Sequence, residues 1–100
     1  MDIKEKIILK NLAIGAMLTS REVEFLVCNY DYETELADEP DRWTTSASTI
    51  IETENGKFYE LYWYRGNTEM QENEYPAQYA KEVEPYEETI VVKKWRPVNG

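Results

Sequence analysis

The stretch of sequence that decides the fold is SASTIIETENGKFYELYWYR, residues 46–65. It has the composition of two β-strands joined by Asn55-Gly56, the dipeptide that most strongly predicts a hairpin, because a type I′ turn requires φ > 0 at both central residues. Pairing about this turn places Ile50 opposite Leu61 and Ile51 opposite Glu60. The predicted hairpin then has apolar side chains on both faces: Ile50, Leu61 and Trp63 on one, and Ile51, Phe58, Tyr62 and Tyr64 on the other.

Two helices are predicted before the hairpin. Residues 3–14 have apolar side chains at helical spacing and are followed by Gly15, which suits the left-handed residue that ends a helix. The β-branched residues of this segment make a strand the alternative. The sequence TSRE, residues 19–22, is a capping box. It predicts a second helix from residue 20 to about residue 28 that buries Val23, Leu26 and Val27.

Further strands are predicted on both sides of the hairpin. Tyr30 and Tyr32 alternate with Asp31, Glu33 and Glu35, which is the period of a strand. DEPD, residues 38–41, predicts a turn. Residues 67–85 predict a long loop, and YEETIVVKKW, residues 86–95, predicts a strand antiparallel to the second hairpin strand. We therefore predict a single α+β domain over residues 1–100. Two N-terminal helices pack on a three- to four-stranded antiparallel sheet with a central β-hairpin.

The negative charge is concentrated in two segments. Residues 31–41 carry a net charge of −6 and residues 69–88 carry another −6, so the rest of the chain carries +3 of the total of −9. These segments cannot bind phosphate groups, which argues against direct binding to nucleic acid or anionic lipid, and they suit a basic protein partner. The chain has no long apolar run and its first ten residues do not resemble a secretory signal. With a single cysteine, it is predicted to reside in a reducing cytoplasm, that of a host cell.

The sequence argues against an enzyme. It contains no histidine, and its four glycines form no phosphate-binding loop. Cys28 is expected to be a small buried side chain rather than a nucleophile. Residues 31–42 resemble a calcium-binding loop at their first, third and fifth positions, but Leu36 replaces the required glycine and Arg42 replaces the bidentate glutamate. We predict no cofactor and no metal site.

The remaining candidates for function are acidic and aromatic side chains. If Asp31, Glu33 and Glu35 lie on one strand, their side chains share a face about 7 Å apart, which approximates the spacing of phosphates along a nucleic-acid strand. The alternative is that these residues only keep the protein soluble. Tyrosine is favoured in the cores of protein interfaces, so Tyr30 and Tyr32, which neighbour these acids, are added to the candidate binding residues. The predicted partner-binding residues are Asp31, Glu33, Glu35, Asp38, Glu39, Asp41, Tyr30 and Tyr32, with Glu69, Glu72 and Glu74 as a second cluster.

The segment WTTSASTIIETENGKFYELYWYRG, residues 43–66, resembles segments of small acidic proteins encoded by bacterial phages and conjugative elements. That population includes anti-restriction and anti-CRISPR inhibitors. The resemblance implies an inhibitor that acts by nucleic-acid mimicry on a nucleic-acid-binding enzyme of the host. The target that this resemblance implies is the RNA-guided nuclease of a type II CRISPR system. The alternative is a phage or mobile-element accessory protein that binds another partner, or itself as a homodimer, through an exposed sheet face.

Overall fold

The computed structural model describes residues 3–39 and 43–98. Its helices are α1 (Ile3–Ala13) and α2 (Ser20–Asn29), and its strands are β1 (Asp31–Leu36), β2 (Thr44–Glu52), β3 (Phe58–Gly66) and β4 (Lys81–Val83). The strands form one antiparallel sheet in the order β1-β2-β3-β4. The predicted α+β class, with two helices followed by an antiparallel sheet around a central hairpin, is confirmed.

Both helices are positioned by local signals in the sequence. Gly15 follows α1 with φ of 75°, in the left-handed region. At the start of α2, the Glu22 N–H donates to Thr19 Oγ1 and the Thr19 N–H donates to Glu22 Oε1, so the predicted capping box is formed. The hydrogen bond from the Thr19 N–H lowers the pKa of Glu22, because it favours the charged carboxylate. Val23, Leu26 and Val27 are buried, as predicted.

The hairpin exists, but its predicted register is wrong by one residue. The Gly56 N–H donates to the Thr53 carbonyl and the Thr53 N–H donates to the Lys57 carbonyl, so the loop has three residues rather than two. Within the loop, only Gly56 has positive φ, at 74°. The loop is therefore a type I turn followed by a left-handed glycine and not a type I′ turn. The extra loop residue places Ile50 opposite Glu60 and Ile51 opposite Tyr59.

This register separates the two faces of the sheet. Ala47, Ile51, Leu61 and other residues of the inner face are buried against the helices, in a core completed by Leu12, Leu18, Val23, Leu26 and Val27. The outer face alternates with it and carries Ser46, Ser48, Ile50, Phe58, Glu60, Tyr62 and Tyr64. The predicted grouping of Ile50 with Leu61 and Trp63 is therefore wrong, because a shift of one residue moves the side chains of one strand to the other face. Both faces still carry apolar side chains, as predicted.

The region after β3 also differs from the prediction. Residues 67–85 include the strand β4 and two isolated bridges, Leu18 with Gln78 and Tyr64 with Glu74, so the region is not a structureless loop. Glu74 and β4 both pair with β3 and occupy its second edge. For that reason residues 86–95 find no free edge of β3, and the strand predicted there is absent.

Candidate interaction surface

The outer face of the sheet carries a continuous groove that runs along β2. The floor of the groove is formed by Ser46, Ser48 and Ile50. The two serine side chains are short and leave space above the strand. Three depressions of about 280, 370 and 340 Å³ adjoin one another along it. The residues that define this acidic groove are Glu33, Glu35, Asp38, Ser46, Ser48, Ile50, Glu60 and Tyr62.

Strand pairing fixes the positions of the groove walls. Glu33, Ile50 and Glu60 form one row across β1, β2 and β3, while Glu35, Ser48 and Tyr62 form the next. Two strand spacings separate the walls by about 10 Å, and Glu33 and Glu35 follow one another by about 7 Å along β1. The described residues lining the three depressions include carboxylates but neither Lys nor Arg. The groove is thus a negatively charged depression along β2, flanked by side chains of β1 and β3.

The β3 wall is ordered by a hydrogen bond within the strand. The Tyr62 hydroxyl donates to Glu60 Oε1 at 2.5 Å, and this contact raises the pKa of Tyr62 because the carboxylate accepts the phenolic proton. Tyr62 is 56% exposed, so its ring remains available to a ligand in the groove. Glu60 and Tyr62 thus offer a ligand one charged and one aromatic group on the β3 side of the groove.

Asp31 does not share a face with Glu33 and Glu35, contrary to the prediction. The pairing of β1 with β2 shifts between Asp31 and Glu33, so that Asp31 lies opposite Ile51 of the inner face. Such a bulge inserts one extra residue and reverses the side chains that precede it. Glu33 and Glu35 retain the predicted spacing, and only these two of the three acids line the groove.

Asp31 instead ends a hydrogen-bond chain across three strands. The Trp63 indole N–H donates to Thr49 Oγ1 at 2.9 Å, the Thr49 and Thr34 hydroxyls are 2.8 Å apart, and the Thr34 hydroxyl donates to Asp31 Oδ2 at 2.9 Å. Because Thr34 gives its proton to Asp31, Thr49 must donate to Thr34. This chain satisfies the fully buried hydroxyl of Thr49 and ties the edge strand to the core.

The two tyrosines predicted to bind a partner have different environments. The Tyr30 hydroxyl donates to the Glu5 carboxylate of α1, which raises the pKa of Tyr30 to about 12. This contact joins α1 to the end of α2, where the Tyr30 ring lies 6.1 Å from that of Phe25. Tyr32 is exposed and packs edge-to-face on Phe58, with the ring centroids 5.2 Å apart. Tyr32 therefore lines the end of the groove region, whereas Tyr30 does not.

The other predicted acids are divided between two places. Asp38 and Glu39 follow β1 at one end of the groove, and Asp41 lies outside the described residues. Glu72 and Glu74 line a separate depression of about 500 Å³ beside α2, and Glu69 is exposed in the turn before it. The backbone of Glu74 pairs with Tyr64 at the far edge of β3, about three strand spacings or 15 Å from β1. Glu72 and Glu74 of the second cluster thus belong to a surface separate from the acidic groove.

Sequence reasoning missed Glu60, Ser46 and Ser48 as parts of the groove. Their inclusion depends on the hairpin register, and the loop that sets it differs from the expected one by a single residue. The apolar composition of the two strands does not identify the register, because either register places about half of the apolar side chains on each face.

No chemistry of another kind is apparent at this surface. Cys28 is exposed, contrary to the prediction that it is buried, because it lies at the end of α2 beyond the buried stripe of that helix. Among residues 3–39 and 43–98, no group of three His, Cys, Asp or Glu side chains is placed to hold a metal ion. Within the same residues, no helix has the length and apolar character needed to cross a membrane.

Comparison with other proteins adds no assignment. No protein-family model matches the chain, and no curated protein or solved structure matches it significantly.

Proposed function

We propose that this protein is a binding module whose acidic groove accepts a basic segment of a nucleic-acid-binding enzyme and thereby competes with that enzyme's nucleic acid. The single observation that carries the proposal is the groove itself, in which carboxylates lie on both strands that flank β2, with the backbones of these two strands about 10 Å apart. Acidic surfaces attract Lys- and Arg-rich surfaces and accelerate encounter with them.

The geometry suits an extended basic segment more than a flat surface. Glu33 and Glu35 repeat every second residue on one wall, while Glu60 and Tyr62 face them. Side chains of an extended ligand repeat with the same period, so alternate Lys or Arg residues meet successive carboxylates. The Tyr62 ring offers a surface on which a guanidinium group can stack. In the host cytoplasm, the sequence resemblance points to the RNA-guided nuclease of a type II CRISPR system as the target.

The test is inhibition of that nuclease, loaded with its guide RNA, by the parent protein and by Glu33→Gln/Glu35→Gln/Glu60→Gln. Three exposed ion pairs worth about 1 kcal/mol each predict an affinity loss of about 100-fold in the variant. The matched control, Glu24→Gln/Glu54→Gln/Glu82→Gln, removes the same charge outside the groove, and we expect it to inhibit nearly as well as the parent.

Salt dependence provides a second readout. Binding through exposed charges weakens as ionic strength rises, and the groove variant is expected to lose most of this dependence while the control keeps it. Equal inhibition by the parent and the groove variant would rule out the groove as the binding surface. A parent that leaves the nuclease uninhibited, yet retains from host lysate a basic protein that the groove variant does not, would reject the nuclease as target and retain the groove.

A further inference from the structure

Residues 87–98 form an exposed arm. They contain no helix or strand, and their apolar side chains are in solvent, with Val91 94% and Trp95 87% exposed. The molecule extends 68 Å along its longest axis and its radius of gyration is 18.2 Å, whereas a compact chain of this length has a radius of gyration of about 13 Å. The arm therefore extends from the folded body.

The sequence of the arm favours a β-strand. It contains TIVV, residues 89–92, a run of β-branched residues followed by Lys93, Lys94 and Trp95. Adjacent exposed apolar side chains are uncommon on a protein that functions without a partner, and they mark interaction sites. The arm thus has the composition of a strand that has no neighbouring strand in this structure.

The edge strand β1 offers a complementary surface. It pairs with β2 on one side, and all six of its residues are exposed. The backbone N–H and C=O groups along the outer edge of such a strand are a template for pairing with another chain. Because Asp31, Glu33 and Glu35 belong to β1, this edge is strongly acidic.

The charges of the arm match those of the edge. Successive residues of a strand point to opposite faces of a sheet, so Lys93 and Lys94 lie on different faces when the arm pairs. The bulge in β1 places Asp31 on the inner face and Glu33 and Glu35 on the outer face. A lysine of the arm therefore meets a carboxylate on each face.

The same pairing is disfavoured within one copy. Residues 84–86 lie beside Tyr32 and Glu33 on the outer face, so continuing along β1 would bring Glu87 and Glu88 next to Glu33 and Glu35. The lysines of the arm would lie about 20 Å further along, which is the full length of a six-residue strand. Only the arm of another molecule is free to choose the register that aligns opposite charges.

We propose that the arm of one copy adds as a strand to the β1 edge of a second copy, in a reciprocal exchange that forms a two-fold symmetric dimer. The inference does not depend on the proposed inhibitory function. It predicts that the mass measured by light scattering or analytical ultracentrifugation rises from monomer to dimer with increasing protein concentration.

Charge reversal tests the partnership. Lys93→Glu/Lys94→Glu and Asp31→Lys/Glu33→Lys/Glu35→Lys each place like charges together on both faces of the exchanged strand, and each is expected to weaken its own dimer about 30-fold or more. Mixing the two variants restores attraction at both exchanged strands, so a heterodimer forms from two monomeric samples. The control Lys6→Glu/Arg21→Glu makes the same charge change on the helices as the arm variant, and it should dimerise like the parent.

A proline variant tests whether the arm pairs as a strand. Val91→Pro removes a backbone donor from the centre of the arm and is expected to abolish the dimer while leaving the thermal midpoint of the monomer unchanged. A parent that remains monomeric at all concentrations would overturn the proposal. A dimer that persists in both Val91→Pro and the arm charge variant, or mixed variants that fail to associate, would also overturn it.

Discussion

Ile50 and Ile51 are adjacent in β2, yet the structure assigns them to opposite faces of the sheet. Ile51 is fully buried in the core beneath the helices, whereas Ile50 is half-buried in the floor of the acidic groove. Replacing each by alanine makes the same chemical change at neighbouring positions. The two substitutions therefore measure the register of the hairpin directly.

The expected losses of stability differ. Ile51→Ala leaves a cavity in a closed core and should lower the free energy of unfolding by about 2–5 kcal/mol. Ile50→Ala removes methyl groups that are only partly shielded from water, so a loss of about 1 kcal/mol is expected. For a domain of this size each kcal/mol corresponds to about 4–8 °C in the melting temperature, which makes the difference easy to resolve.

Urea unfolding followed by far-UV circular dichroism is a suitable assay, because the midpoint shift reports stability when the slope stays constant. If Ile51→Ala does not fold, Ile51→Val provides a smaller loss of about 0.5–1.5 kcal/mol for comparison with Ile50→Val. The register expected from a two-residue turn would exchange the roles of the two positions. A larger loss at Ile50, or equal losses, would refute the assignment of faces.

Three further predictions concern local contacts. Asn55→Ala should change stability by less than about 0.5 kcal/mol, whereas Gly56→Ala should cost about 1 kcal/mol, since only Gly56 has positive φ; equal costs would indicate a type I′ turn. Thr49→Val, measured by thermal unfolding, should cost about 1–3 kcal/mol because the Trp63 indole N–H loses its acceptor, and a neutral result would contradict that hydrogen bond. Glu22→Gln should cost about 0.5 kcal/mol above pH 4.5, the ordinary pKa of glutamate, and this cost should disappear as the pH falls below 4.5 through the lowered pKa of Glu22 in the folded protein. A cost independent of pH would contradict this.

The helices were predictable because their signals are local. The capping box at Thr19 and Glu22 and the left-handed Gly15 specify where the helices begin and end without reference to the rest of the fold. The hairpin was predictable in existence but not in register. Asn55-Gly56 fits both a two-residue and a three-residue loop, and the choice depends on burial of Ile51 and its neighbours against helices distant in sequence.

The candidate site was predictable to the same limited extent. Glu33 and Glu35 follow from the alternation of β1, but the bulge that turns Asp31 inward interrupts that alternation. The strand tendency of residues 89–92 is visible in the sequence, while the absence of a free β3 edge is a property of the assembled sheet. Pairing between strands is non-local, so composition identifies a strand-forming segment without identifying its neighbour.

The two proposals share residues, and this has a measurable consequence. Glu33 and Glu35 form one wall of the acidic groove and also belong to the edge strand that receives the arm. A copy whose edge holds a neighbour's arm has one lysine of that arm on the outer face, beside these carboxylates. That lysine competes with a basic ligand for the same carboxylates, so we expect arm exchange to weaken ligand binding at the occupied copy and to regulate the availability of the groove.

Val91→Pro tests this competition, since it blocks exchange without changing the charge of the protein. Below the dissociation constant of the dimer, the parent and the variant should bind an oligo-arginine peptide equally. Above it, the apparent affinity of the parent falls as fewer edges are free, and occupancy of about nine edges in ten weakens binding by at most about tenfold, while the variant is unaffected. Fluorescence titrations at low and high protein concentration measure the difference. An apparent affinity of the parent that is independent of concentration, in samples shown to be dimeric, would mean that the arm leaves the groove open and that the two activities coexist on one molecule.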